Sequence, residues 1–129
     1  MGARQKIGIV RDSNLGGPLG RGLRRAGHLV RDVRPNRAAV SETARWADIV
    51  VLALPLAAAA NAAGVRRTLR QAKFVKAFDA PLPRVTAGGD DQDLSVFMRD
   101  RDPGTQQVVT ALATVVDMGL RIASALLDS

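Results

Sequence analysis

The feature that most constrains this chain is its opening, Lys6-Ile-Gly-Ile-Val-Arg-Asp-Ser-Asn-Leu-Gly-Gly-Pro-Leu-Gly. A short apolar run leads into a polar, glycine-bearing turn, and the turn leads into a segment with helical spacing. Such a run suits a parallel strand buried on both faces, which belongs in a sheet with helices on either side. The turn carries part of a known physical design. In Gly-x-Gly-x-x-Gly after a first strand, the first glycine makes the tight turn. The second lets the backbone approach a pyrophosphate, and the third lets the helix pack close to the strand. Here those positions hold Arg11, Ser13 and Gly16. Only the packing glycine remains. Arg11 must turn the chain with a Cβ, and Ser13 sets a side chain where a phosphate would press. A guanidinium at position 11 can itself grip a phosphate.

The rest of the chain alternates in the same way. Leu19, Leu23 and Ala26 share a helical face, with Arg21, Arg24 and Arg25 turned outward and Gly27 as a stop. Leu29–Val33 reads as a second strand, followed by a short helix with Ser41 as its cap. Ile49–Leu54 is a third strand bounded by Pro55. An Ala-rich helical stretch runs from Leu56 through Gln71, interrupted at Gly64. Phe74–Phe78 and Leu94–Met98 read as fourth and fifth strands, separated by a Pro- and Gly-rich loop. Pro103 and Gly104 open a last helix, and Leu120–Ala123 reads as a sixth strand. The expected architecture is α/β: one domain over residues 1–129, with an open, mainly parallel sheet of about six strands and flanking helices.

Composition removes several classes of function. The chain has no Cys and a single His, so thiolate catalysis, disulfides and Cys- or His-rich metal sites are excluded. No metal site is expected: Asp90, Asp91 and Asp93 lack the pattern of a calcium loop and read as solvated. No apolar run approaches the ~20 residues of a membrane helix. The amino terminus runs straight into a strand with no leader pattern, so the expected location is the cytoplasm. The net charge of +7 rests on 16 Arg and 3 Lys. These are scattered without interleaved aromatics, which argues against a nucleic-acid partner.

Several segments together resemble the deazaflavin-dependent NADP oxidoreductases, a Rossmann family that moves hydride between NADPH and a deazaflavin. Lys6-Ile-Gly-Ile-Val resembles the family's first strand, and Asn14-Leu-Gly-Gly-Pro-Leu its turn. Ala26-Gly-His-Leu-Val is similar to its Ala-Gly-His-x-Val lead-in to the second strand. Ala47-Asp-Ile-Val-Val-Leu-Ala-Leu-Pro and Phe74-Val-Lys-Ala-Phe-Asp match later segments, and Val96-Phe-Met with Asp100 to Asp102 matches the strand before the last helix. The chain departs from the family at both turn glycines, at Asp79 where the family has Asn, and in a shortened helix after the second strand. It reads as a trimmed relative.

The resemblance implies a Rossmann-like sheet, NADP(H) as cofactor and hydride transfer as reaction. It places the cofactor against Arg11, Asp12, Ser13, Asn14, Leu15 and Gly16 in the turn. Arg34 and Arg37 would meet the 2′-phosphate, with Leu54 and Pro55 at the end of the third strand. Asp32 lies about where an acidic residue would favour NAD instead. Asp79, read as following the fourth strand beside Phe78, is the candidate general acid or base, with a pKa raised by desolvation. His28 reads as structural. The other reading from the residues is a domain that has lost dinucleotide binding. It would act as a cofactor-free enzyme or as a module for a small ligand or partner. A small molecule in the cleft at the strands' carboxyl ends is expected on either reading. A homodimer is also expected, built on apolar surface of helix Thr105–Met118 and the tail Ala123–Leu127.

Overall fold

The computed structural model describes residues 4–11, 16–55, 59–82, 92–99 and 103–114. The elements, in order, are β1 (Lys6–Arg11), α1 (Gly16–Arg25), β2 (Leu29–Val33), α2 (Arg37–Trp46), β3 (Ile49–Pro55), α3 (Ala59–Gln71), β4 (Val75–Leu82) and β5 (Gln92–Met98), followed by α4 (103–114). The strands form one sheet in the order β2-β1-β3-β5-β4. β1 is parallel to β2 and β3, whereas β5 runs antiparallel to β3 and β4.

The expected mainly parallel sheet of about six strands is thus a mixed sheet of five among the described residues. The chain lays β4 one position away from β3 and fills the gap with the reversed β5. An antiparallel return needs no crossover helix, and the sequence between the two strands has no helical pattern. The sixth strand expected at 120–123 lies outside the described residues.

β1 explains the rest of the packing. Ile7 and Ile9 point to one face of the sheet and Val10 to the other, and all three are buried. Each such side chain contributes about 1.5–3 kcal/mol when fully buried. On the Ile7 face lie Leu23 of α1 and Val108, Val109 and Leu112 of α4, together with Ile49, Val51 and Val96. On the Val10 face lie Val40 and Ala44 of α2 and Val65 and Leu69 of α3, with Leu52 and Phe97. Helices therefore cover both faces, which is why the inner strands β1, β3 and β5 read as largely apolar runs.

The packing of α4 corrects one expectation. Thr105, Val108, Val109 and Leu112 recur at helical spacing and are all buried, so that apolar face closes the α1 side of the sheet. Over the described residues that face is taken up by the sheet, and positions 115–118 of the expected helix lie outside them. The tail at 123–127 lies outside the described residues. The large exposed hydrophobics among the described residues are Leu29 and Val75, on the two edge strands. No described helix is long and apolar enough to cross a membrane.

Helix ends are set by local chemistry. After α1, His28 N–H donates to Leu23 C=O at 3.1 Å and Gly27 N–H donates to Arg24 C=O at 3.0 Å, with Gly27 at φ 95°. This is a Schellman cap, as Gly27 suggested. Ala26 falls in that cap and is exposed rather than on the buried face. α2 begins earlier than expected. Asn36, not Ser41, is its N-cap, accepting from Ala39 N–H at 2.8 Å, and Ser41 sits inside the helix. Asn caps as well as Ser, and the extended backbone at Asn36 admits the cap geometry. α3 runs unbroken through Gly64 and ends in a second Schellman cap. Phe74 N–H donates to Leu69 C=O and Lys73 N–H to Arg70 C=O, with Lys73 at φ 69°.

Two stability predictions follow from these contacts. A Cβ at Gly8 would overlap the methyl group of buried Thr43 on α2. Gly8→Ala is expected to cost about 1–3 kcal/mol, the usual range for overpacking, in urea unfolding. Removing the obstructing methyl with Thr43→Ser should recover part of that loss in the double variant. Lys73→Gly should stabilise the protein by about 0.5–1 kcal/mol. The left-handed conformation costs an L-residue about 1–2 kcal/mol, and glycine's greater freedom in the unfolded chain offsets part of the relief.

Candidate functional site

The chain leaves β1 to one side for β2 and returns to the other side for β3, with α1 and α2 on opposite faces. In open α/β sheets such a reversal opens a crevice beyond the carboxyl ends of the strands. Arg11 is the last residue of β1 and stands opposite Ala53 of β3. Leu54 and Pro55 carry β3 two residues farther, so their backbone forms one rim of the crevice. Gly16 opens α1. Asp12, Ser13, Asn14 and Leu15 lie outside the described residues.

Register brings the charged groups together. Ile9 is level with Asp32 of β2, and side chains two apart on a strand share a face. Arg11 and Asp32 therefore both point toward the α1 side. Arg11 Nε lies 3.0 Å from Asp32 Oδ1, and Arg24 Nη2 of α1 lies 3.6 Å from Asp32 Oδ2. Arg24 Nη2 also donates to Val30 C=O at 3.3 Å. Both oxygens of Asp32 thus face a guanidinium. α1 passes close to this cluster at Gly20, where a Cβ would sit 3.7 Å from Asp32 Oδ2, an ordinary contact that does not itself require glycine. A cleft of about 230 Å³ is lined by Arg11, Asp32, Val33 and Arg34. Arg11 and Arg24 engage the Asp32 carboxylate, and Arg34 lines the same cleft.

Arg37 is not part of this cleft. It opens α2 and lines a larger one of about 480 Å³ between α2 and α3, with Arg67 and Gln71. His28, just before β2, accepts through its Nδ1 from Gln5 N–H at 3.2 Å and lines neither cleft.

Asp79 differs from its sequence reading in position and in ionisation. β4 continues to Leu82, so Asp79 lies within the strand rather than beyond its end. A register shift between Lys76 and Phe78 inserts one extra residue. In a regular strand, residues three apart point to opposite faces, whereas a bulge restores them to the same face. Lys76 Nζ consequently reaches Asp79 Oδ2 at 2.7 Å, and Ser95 Oγ donates to Asp79 Oδ1 at 2.6 Å. Lys76 first, then Ser95 and the charge of Arg66, hold the Asp79 carboxyl below its ordinary pKa, outweighing slight desolvation. The expected upward shift is overturned. A carboxylate held in its ionised form is a poor proton donor near neutral pH.

Sequence reading missed Arg24, which was assigned to an outward face, and the Lys76 and Ser95 partners of Asp79. Arg24 carried a usable signal: it lies one turn after Gly20 on the face that also holds Leu23. The bulge that joins Lys76 to Asp79 left no comparable trace. Among the described residues no group of His, Asp or Glu could hold a metal ion. No family model matches this chain, and neither a curated protein nor a solved structure matches it.

Asp79 supplies a pH prediction. Because its folded pKa is depressed, its contribution is fully present above the unfolded value near 3.8 and is lost as pH falls through the folded pKa. The pair is half exposed, so wild type should exceed Asp79→Asn by no more than about 1 kcal/mol near neutrality. Thermal unfolding of both proteins across the acid range should show the gap closing. A gap that persists unchanged in strong acid would mean that charge does not carry it.

Proposed function

We propose that the chain is a Rossmann-like NADP(H)-binding domain of an oxidoreductase, in which the bound cofactor carries the hydride and the protein orients it. The observation that carries this reading is the engagement of Asp32 by Arg11 and Arg24 beside Arg34. A carboxylate near the end of a second strand favours NAD by accepting the ribose hydroxyls. Here Arg11 hydrogen-bonds one of its oxygens and Arg24 forms an ion pair with the other, so the surrounding charge is positive. A 2′-phosphate meets guanidinium forks in such a cleft, whereas a bare 2′-hydroxyl gains little. The cleft lies beyond the carboxyl ends of β1 and β2, next to the reversal of strand order between β1 and β3, and this position supports the same reading. Since the cofactor supplies the chemistry, no acid–base pair is required of the protein.

A specific observation also favours a second reading. Arg11 replaces the turn glycine and spans to Asp32, placing a side chain where a pyrophosphate would approach the backbone. On this reading the domain has lost dinucleotide binding and takes a smaller ligand or a partner in the same cleft.

Calorimetric titration with NADPH, NADP and NADH at low salt separates the two. On the first reading NADPH binds more tightly than NADH. Arg34→Ala then weakens NADPH about tenfold, or about 1.4 kcal/mol, and leaves NADH unchanged. Binding that appears only in Arg11→Gly/Ser13→Gly supports the second reading. Equal affinity for NADPH and NADH removes the argument from Asp32.

A further inference from the structure

We propose that the cleft between α2 and α3 is a second ligand site, taking a small organic oxyanion whose charged head lies between Arg37 and Arg67. It is separate from the Arg11–Asp32 cleft and does not depend on the function assigned there. Four observations converge on it.

The first is the lining. At about 480 Å³ this cleft is twice the size of the other, large enough for a small metabolite. Arg37 comes from α2 and Arg67 from α3, and Gln71 adds a neutral amide. The side-chain Oδ1 of Asn36 is engaged by Ala39 N–H, which leaves its amide N–H groups as the remaining donors. None of the described lining residues is a carboxylate.

The second is the state of the two arginines. Neither forms an ion pair among the described residues. Arg37 occupies the first position of α2, where a cation opposes the helix dipole, and the first turn of α2 has no acidic residue to compensate. Two exposed guanidinium groups from separate helices share one cleft with no counter-charge among the described residues. A bound oxyanion supplies it, through the paired N–H groups that guanidinium presents to phosphate or carboxylate.

The third is the floor. Pro35, half-buried, forms the accessible apolar part of the lining, over a nearly covered base of Val40 and Val65. That suits an anion carrying a short apolar body better than a bare inorganic ion.

The fourth is Gly64. Glycine is among the least favourable residues inside a helix, and α3 keeps one in its middle. Packing does not require it, because nothing lies within 4 Å of a Cβ built there. Gly64 lines the cleft, so a side chain at this position would project into otherwise open space. The missing side chain keeps the cleft open at a cost to the helix.

The test is NMR titration of ¹⁵N-labelled full-length protein with phenyl phosphate, benzoate and inorganic phosphate through the millimolar range. Saturable shifts of the Arg37, Val65 and Thr68 amides with phenyl phosphate or benzoate are expected, and whichever binds more tightly identifies the head group. Inorganic phosphate should bind more weakly than either, for want of an apolar body. Arg67→Ala should weaken binding about tenfold, and Gly64→Leu should abolish it while the protein stays folded. Gly64→Ala, which adds only a methyl group, should raise the unfolding midpoint and retain measurable binding. Arg34→Ala, in the other cleft, should leave these titrations unchanged. The proposal is overturned if none of the three probes saturates, if the shifts centre on residues outside this cleft, or if both Arg67→Ala and Gly64→Leu bind like wild type.

Discussion

Burial of β1 on both faces is the constraint on which the rest of the structure depends. A strand with Ile7 and Ile9 on one side and Val10 on the other must be covered twice, and α1 and α2 provide the cover. Covering opposite faces requires the chain to leave β1 in opposite directions, toward β2 and toward β3. The close approach of α2 leaves room only for glycine at position 8, because Thr43 occupies the space of a Cβ. The same reversal opens the crevice at the carboxyl ends, where the charged residues collect. Core packing and site placement thus share one geometric cause.

Strand parity then decides which charges meet. Arg11 shares a face with Ile9, Asp32 is level with Ile9, and α1 covers that face, so Arg24 joins them. At the far edge of the sheet a single inserted residue does the opposite of what regular alternation would do, bringing Lys76 and Asp79 to one side. The two carboxylates end in different circumstances. Asp32 lies beside a cleft under surplus positive charge. Asp79 lies on an edge strand, half exposed and held by one lysine and one serine. The contrast moves attention from Asp79 to the arginines. Both clefts present guanidinium groups.

Much of this was legible from the residues. Apolar runs located the three inner strands, because two-sided burial leaves little room for polar alternation, while the edge strands β2 and β4 were read from shorter, partly polar segments. Gly27 announced the end of α1, since only a residue at ease with positive φ closes a helix in that way. Lys73 adopts the same conformation with no such signature, because the buried contact of Leu69 with Phe74 dictates the cap. The direction of β5 was not legible in its own residues: an apolar run reads the same in both directions. The relevant signal lay in the absence of a helical pattern between Phe78 and Leu94. The role of α4 was misjudged because its apolar stripe matches a sheet face and a partner surface equally well.

What the sequence determined by itself was local: where strands and helices form, where helices stop, and that the first turn lacks two of its three glycines. It determined these because propensity, periodicity and backbone freedom act over a few residues. Tertiary structure decided which side chains meet. Arg11 and Asp32 are 21 residues apart, and only parallel pairing at one register places them 3.0 Å from each other. Arg37 and Arg67 share a cleft only because α2 and α3 cover the same face of the sheet. Contacts of this kind depend on strand order and side-chain parity across the whole sheet, and no local window of the chain contains that information.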